Sequence, residues 1–343
     1  MKTMRFSLIA LVVFSALVGL SACTSEETKK PEPKKEEAIV PKAPKERTIA
    51  LIPKGTAHSF WKAVHAGGLK AEKELGVKII WQGPPNENDR AQQIQLVQNF
   101  VSRKVDAIVL APLDDTALVN PVEIAISRNI PVVIIDSGLK SDKIASFVAT
   151  DNVEGGRMAA RELAKAMGGK GKAILLRYNE GSASTADREA GFLEEMKAKF
   201  PEIELVSTDQ YAGVTKESAL QKSQNMLNTY GDTIQGIFCP NESSAYGMMR
   251  ALVTAGKSGK INYVGFDASE DLIKGLTDGT IKALIVQDPS SMGYEGVKTA
   301  VAVLEGKKVQ KRIPTNLACV TLENLNTPEI QNLITPERES TKK

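Results

Sequence analysis

The chain has 343 residues, with 44 Lys and Arg against 41 Asp and Glu, and a net charge of +3 at neutral pH. So even a balance, with no basic stripe and no acidic tail, lacks the electrostatic footprint of a nucleic-acid binder. With only His58 and His65 as histidines and no HExxH spacing, the usual zinc site is absent as well, and no cofactor or metal is expected.

At the N-terminus, Lys2 and Arg5 precede an apolar run from Phe6 to Leu20 that is short for a membrane span. Leu20-Ser21-Ala22-Cys23 then resembles the bacterial lipobox. Residues 1–22 are expected to be a removable export signal, and Cys23 to carry diacylglycerol. Each buried methylene of an acyl chain contributes roughly 0.8 kcal/mol, so two or three chains hold a protein firmly on a membrane. From Thr24 to Arg47 the chain is almost entirely Lys, Glu, Pro, Thr and Ser. Such a stretch buries no core, so residues 23–46 read as a lipidated Cys and a disordered tether. No later segment is long and apolar enough to span a bilayer. The expected location is extracytoplasmic, lipid-anchored to a bacterial membrane at its periplasmic face or at the cell surface. The remaining roughly 290 residues suit two domains better than one core.

From Thr48 onward, short β-rich runs alternate with amphipathic stretches. Strands are predicted at Thr48–Ile52, Val77–Trp81, Asp106–Ala111 and Pro131–Ile135, with helices at His58–Leu75, Glu87–Arg103 and Thr116–Arg128. In the second helix Ile94, Val97 and Val101 follow helical spacing. The pattern then repeats. Strands at Ala173–Leu176, Ile203–Ser207, Gly236–Cys239 and Tyr263–Phe266 alternate with helices near Asp187–Lys199, Lys216–Tyr230, Ser243–Ala255 and Asp271–Leu276. A strand at Ile281–Gln287 and a helix at Ser290–Leu304 follow. Near-continuous apolar strands alternating with helices predict an α/β fold of parallel sheets covered on both faces. Gly168-Gly169-Lys170-Gly171-Lys172 precedes a strand instead of following one, so it is not a phosphate-binding loop. Cys239 and Cys319 could pair in an oxidising compartment, but two free thiols are the favoured reading.

Open parallel sheets bind ligands beyond the carboxyl ends of their strands. Those ends carry Lys54 to Trp61, Asp114-Asp115, Asp136-Ser137, Arg177-Tyr178-Asn179, Asn241-Glu242, Asp267 and Gln287-Asp288. The set is poor in nucleophiles and rich in planar hydrogen-bonding groups beside aromatics. Carboxylates, amides and a guanidinium pair with vicinal hydroxyls, and aromatic faces cover the C–H faces of a sugar ring. This is the chemistry of a sugar or polyol clamp.

Several stretches, in order, carry a resemblance: TIALIPKGTAHSFW, VDAIVLAP, IPVVIIDS, FVATDNVEGG, GSASTADREAGF, GIFCPNESSAYG, YVGFDAS and ALIVQDP. Over nearly all of residues 47 to 320 the chain resembles the ribose-type (type I) periplasmic sugar-binding proteins, the substrate-binding components of sugar ABC importers. The resemblance implies two Rossmann-like lobes joined by a three-crossing hinge near Thr150–Asp151, Gln287–Pro289 and Thr315–Leu317. The N-terminal lobe would be 47–150 plus 288–315 and the C-terminal lobe 151–287 plus 316–330, with a polar tail at 331–343. It implies that Phe60 and Trp61 sandwich the sugar, and that Asp136, Arg188, Asn241, Asp267 and Gln287 bind its hydroxyls, with Tyr211 near an aromatic position of the second lobe. Lys54 and His58 stand where ribose binders carry a small polar residue and an asparagine, and Ser137 replaces an arginine. Trp81 is a further bulky candidate near the cleft. These departures point away from ribose itself and leave open a larger polyol, another monosaccharide, or a ligand whose acidic group pairs with Lys54.

The resulting expectation is a monomeric, non-enzymatic solute-binding lipoprotein that captures a monosaccharide or polyol and delivers it to ABC permease subunits. The alternative is a sensory binding protein that presents the ligand to a chemoreceptor or histidine kinase. A hydrolase would need a triad or metal set that the strand ends do not offer. A repressor of the same fold would need DNA-binding helices before residue 48.

Overall fold

A computed structural model describes residues 46–335. The predicted export signal, Cys23, nearly all of the predicted tether and the end of the predicted polar tail lie outside the described residues. Twelve strands form two six-stranded sheets among the described residues. The first sheet contains β1 (Thr48–Ile52), β2 (Lys78–Trp81), β3 (Ala107–Leu110), β4 (Val132–Ile135), β5 (Ser146–Ala149) and β11 (Arg312–Pro314) in the order β11-β5-β4-β3-β1-β2. The second contains β6 (Gly171–Arg177), β7 (Ile203–Tyr211), β8 (Gly236–Phe238), β9 (Asn262–Phe266), β10 (Ala283–Gln287) and β12 (Leu317–Val320) in the order β12-β10-β9-β8-β6-β7. All pairings are parallel except β10 with β12. Both sheets are therefore the same doubly wound unit with one added edge strand, and each has its topological switch point beside its first strand.

Side-chain alternation along each strand divides its residues between two cores. In β1, Ile49 and Leu51 join one hydrophobic cluster and Ala50 and Ile52 another. In β6, Ile174 and Leu176 face one cluster, and Ala173 and Leu175 the other. The covering helices of the first sheet are α1 (Ser59–Leu75), α2 (Arg90–Ser102), α3 (Val119–Ser127) and α9 (Pro289–Leu304). Those of the second are α4 (Asn152–Met167), α5 (Ala183–Lys199), α6 (Lys216–Tyr230), α7 (Glu242–Thr254) and α8 (Glu270–Thr277). A short α10 (Pro328–Ile334) packs beside β10. Helices α4 and α5 approach closely because Gly156 and Gly191 lie at the crossing. A Cβ on Gly156 would sit 1.9 Å from the carbonyl oxygen of Arg188, and one on Gly191 2.1 Å from that of Val153.

The chain passes between the sheets three times: from β5 into α4, from β10 into α9, and from β11 to β12. The passages are tied to one another. Arg312 Nη2 donates to the carbonyl of Thr150 at 2.8 Å. The hydroxyls of Thr150 and Thr315 are 3.3 Å apart, and Asn316 Nδ2 donates to Asp288 Oδ2 at 3.1 Å.

Three differences from the predicted elements matter. Helix α2 starts at Arg90, not Glu87, because Asp89 caps it by accepting the N–H of Gln92 at 2.9 Å; Glu87 is thereby left in a loop. Strand β7 runs on to Tyr211, four residues past the predicted end at Ser207, by pairing with β6 through Arg177. Strands β11 and β12 and helix α10 were not anticipated, being too short to carry a period. Cys239 and Cys319 are both free thiols.

Candidate functional site

The carboxyl ends of both sheets face one cavity with about 320 Å³ of non-atom space. From the first lobe it is lined by Lys54, His58, Phe60, Trp61, Glu87 and Asp136. From the second come Tyr178, Ser184, Thr185, Arg188, Asn241, Glu242 and Asp267, with Gln287 from the hinge. Nine of the predicted ligand-binding residues are thus brought together, and two are not. Ser137 is fully buried, and its hydroxyl accepts the N–H of Ser184 at 3.0 Å, so it joins the lobes without lining the cavity. Tyr211 is a correction: at the end of β7 its ring lies 5.9 Å from the Arg177 guanidinium, and it does not line the cavity. Trp81 is another, since its ring stacks on His65 at 4.5 Å.

Arg188 enters on α5, held by the Gly156 crossing. Its Nε donates to Asn152 Oδ1 and its Nη1 to the carbonyl of Pro240, both at 2.9 Å. Its guanidinium lies 4.0 Å from the centre of the Phe266 ring. Nη2 is buried and has no hydrogen-bond partner among the described residues. Burial pulls the Arg188 pKa below its ordinary value, and Asp267 and Asp136 work against that.

Asp267 ends β9 in the left-handed region, at φ 71°, an uncommon conformation for which Asp is one of the more tolerant residues. Its counterpart at the end of β4, Asp136, has φ 62°. Asp267 Oδ1 accepts from Gln287 Nε2 at 2.6 Å, and Oδ2 from the Glu242 N–H at 2.9 Å. Burial pushes its pKa up to about 6 against the pull of Arg188. Gln287 Oε1, like Arg188 Nη2, is buried without a partner. Asn241 caps α7 and forms a capping box with Ser244.

The first lobe contributes two ion pairs. Lys54 Nζ sits 2.8 Å from Asp136 Oδ2 and donates to the hydroxyls of Ser184 at 2.9 Å and Ser182 at 3.3 Å. The two serine contacts are hydrogen bonds, and the contact with Asp136 is an ion pair, since Asp136 Oδ2 has no hydrogen-bond partner among the described residues. His58 Nδ1 sits 2.5 Å from Glu87 Oε1. Burial opposes a charged imidazole, but Glu87 overcomes it and raises His58 to about 9. Burial would likewise raise Glu87, yet His58 and Lys54 hold it at about 2. Glu87 also accepts from Trp61 Nε1 at 2.7 Å and from the Tyr178 hydroxyl at 2.9 Å. The indole, 2% exposed, is thereby fixed, and Phe60 meets it edge-on with ring centres 4.9 Å apart.

The ligand set assigned from the sequence left out Glu87, Tyr178, Ser184, Thr185 and Glu242. Tyr178 and Glu242 had been read among the strand-end residues but given no role of their own. Glu87 had been placed inside a helix.

The model of the periplasmic binding protein domain matches residues 49–308. The chain is 34% identical over 274 residues to the ribose import binding protein of Escherichia coli (strain K12), covering 80% of this chain and 90% of that one. It is 30% identical over 313 residues to the ribose import binding protein of Bacillus subtilis (strain 168), covering 91% and 98%. Among solved structures it resembles a carbohydrate transporter solute-binding protein from Agrobacterium radiobacter in complex with D-arabinose, with 37% identity, TM-score 0.82, and coverage of 84% and 99%. It also resembles an ABC transporter solute-binding protein from Agrobacterium vitis with bound D-fucose, with 38% identity, TM-score 0.80, and coverage of 84% and 99%.

Proposed function

The chain belongs to the periplasmic binding protein domain family, with the type I fold of sugar-binding transport proteins rather than of enzymes, and on that premise we propose that it captures a neutral monosaccharide or polyol between its lobes and hands it to an ABC importer. The observation that carries this reading is a donor and an acceptor that line the cavity, buried and without hydrogen-bond partners. Arg188 Nη2 offers a donor and Gln287 Oε1 an acceptor, and a hydroxyl can both accept and donate. Buried polar groups left unpaired are costly, so such a pair favours a ligand that completes them. Neutrality follows from the ion pairs. Lys54 and His58 are each matched by a buried carboxylate, and the charge of Arg188 is offset by Asp267 and Asp136, so a sugar acid would bring an uncompensated charge into the cavity. That argues against the acidic ligand left open by the sequence.

We place the lobe boundaries at the three passages, with closure about them, and assign the ligand contacts to the nine cavity residues named above. The lipobox supports anchoring through Cys23, outside the cytoplasm, where tethering raises the effective concentration of the binding protein near its permease. Calorimetry against neutral pentoses, hexoses and polyols, with a uronic acid as a counter-ligand, tests the reading. At least one neutral sugar should bind, and Arg188→Ala should weaken it by about 1–3 kcal/mol. Binding of the uronic acid alone, or an unchanged affinity in the variant, would refute the assignment.

A further inference from the structure

Two buried carboxylates cross the cleft in opposite directions. Glu242, the first residue of α7 in the second lobe, accepts the N–H of Ser59 at 3.2 Å through Oε1 and the N–H of Phe60 at 3.0 Å through Oε2. Those are the first two amides of α1 in the first lobe. The residue preceding them, His58, makes no side-chain capping bond. Helix N-termini leave their first amides unsatisfied and carry partial positive charge, so a carboxylate there is doubly favourable. Here the cap of one lobe's helix is supplied by the other lobe. In the reverse direction, Glu87 of the first lobe accepts the hydroxyl of Tyr178 from the second at 2.9 Å.

Glu242 and Glu87 are 2% and 8% exposed, so these bonds are little weakened by solvent. Lys216, 3.8 Å from Glu242 Oε1, gives that carboxylate a cation within its own lobe. The same residue is joined to the ligand groups: its own N–H donates to Asp267, whose other oxygen holds Gln287. Pressure on Asp267 or Gln287 from a bound hydroxyl therefore bears directly on the group that caps α1.

We infer that Glu242 and Glu87 are reciprocal interlobe latches, positioning residues that stabilise the closed arrangement through protein–protein bonds and so set the open–closed equilibrium on which affinity depends. The inference rests on the hinged-lobe part of the reading above but not on the identity of the ligand. If the lobes separate, the first amides of α1 lose their cap and Tyr178 loses its acceptor. Because the bonds contain no ligand atom, their effect is measurable in sugar-free protein. Any closed population they add lowers the apparent dissociation constant in proportion.

The test uses the full chain without sugar, as wild type, Glu242→Gln and Tyr178→Phe, the last removing one hydroxyl and leaving the ring. Small-angle scattering reads lobe separation, and amide exchange reads the protection of Ser59 and Phe60. In Glu242→Gln the scattering should shift toward the open form, and those two amides should exchange roughly five- to tenfold faster, the size of a lost charged cap. Tyr178→Phe should shift the scattering the same way, by less. Both should speed dissociation of any bound sugar more than they slow association. Identical scattering and exchange in all three proteins would overturn the latch. So would a loss of affinity in Glu242→Gln with the sugar-free ensemble unmoved, since Glu242 would then act on the ligand alone. A shifted sugar-free ensemble in a chain that binds no sugar would support the latch and refute the sugar assignment instead.

Discussion

The His58–Glu87 pair makes the stability of this protein depend on pH in a calculable way. His58 is held at about 9 against an ordinary 6.5, so the folded protein binds this proton more tightly than the unfolded chain does. That contribution is fully present below pH 6.5 and is lost as pH rises through 9. The full difference corresponds to roughly 3 kcal/mol, of which about half disappears between about pH 7.5 and pH 9. Below about pH 8 the window belongs to His58. Asp267 at about 6 and Glu189 at about 7 finish titrating near its lower edge. His65, lowered by burial, titrates below it, whereas Cys239 and Cys319, raised from 9 to about 12, add a loss of their own as pH approaches 9, where the thiols of the unfolded chain ionise, and that loss is shared by wild type and variant. Urea unfolding of wild type and His58→Gln at intervals across this range is the assay. The wild type should lose stability with pH more steeply than the variant, by the His58 contribution, although the variant starts lower because Glu87 has lost its nearest cation. Parallel profiles would refute the argument and mean that His58 is neutral in the folded protein.

Lys54→Met leaves Asp136 buried without its cation and should cost about 3–5 kcal/mol of unfolding free energy, with Lys54→Met/Asp136→Asn recovering most of it; equal stability of wild type and single variant would show that the pair is not coupled. Asn suits the positive φ at position 136, so the double variant adds no backbone penalty of its own. Gly156→Ala places a methyl 1.9 Å from the Arg188 carbonyl and should cost at least about 1–3 kcal/mol by overpacking. It should also weaken sugar binding by displacing α5, whereas wild-type affinity in a destabilised variant would show that helix spacing does not position Arg188.

Much of the architecture was legible because it is periodic. The alternation of apolar strands and amphipathic helices, run twice, specified two parallel-sheet units, and the left-handed positions of Asp136 and Asp267 fall at the ends of corresponding strands. The strand-end rule located Lys54, His58, Phe60, Trp61, Asp136, Asn241, Asp267 and Gln287 as cavity residues before any coordinates, and Arg188 came from the DREAGF resemblance. Tyr211 was misplaced because the length of an edge strand is decided by its neighbour, here Arg177 across the β6–β7 ladder.

What the sequence by itself determined are properties that depend on neighbours along the chain: the charge balance, the hydrophobic periods and the residue types at strand ends. What only the tertiary structure decided are the partners. Glu87 meets Tyr178 at a separation of 91 residues, Lys54 meets Ser184 at 130, and Glu242 meets Phe60 at 182. No local pattern encodes such pairs, because they arise where two lobes bring their strand ends together. That same distance is why Lys54 and His58, which looked available for a ligand's charge in the sequence, prove in the fold to be already neutralised.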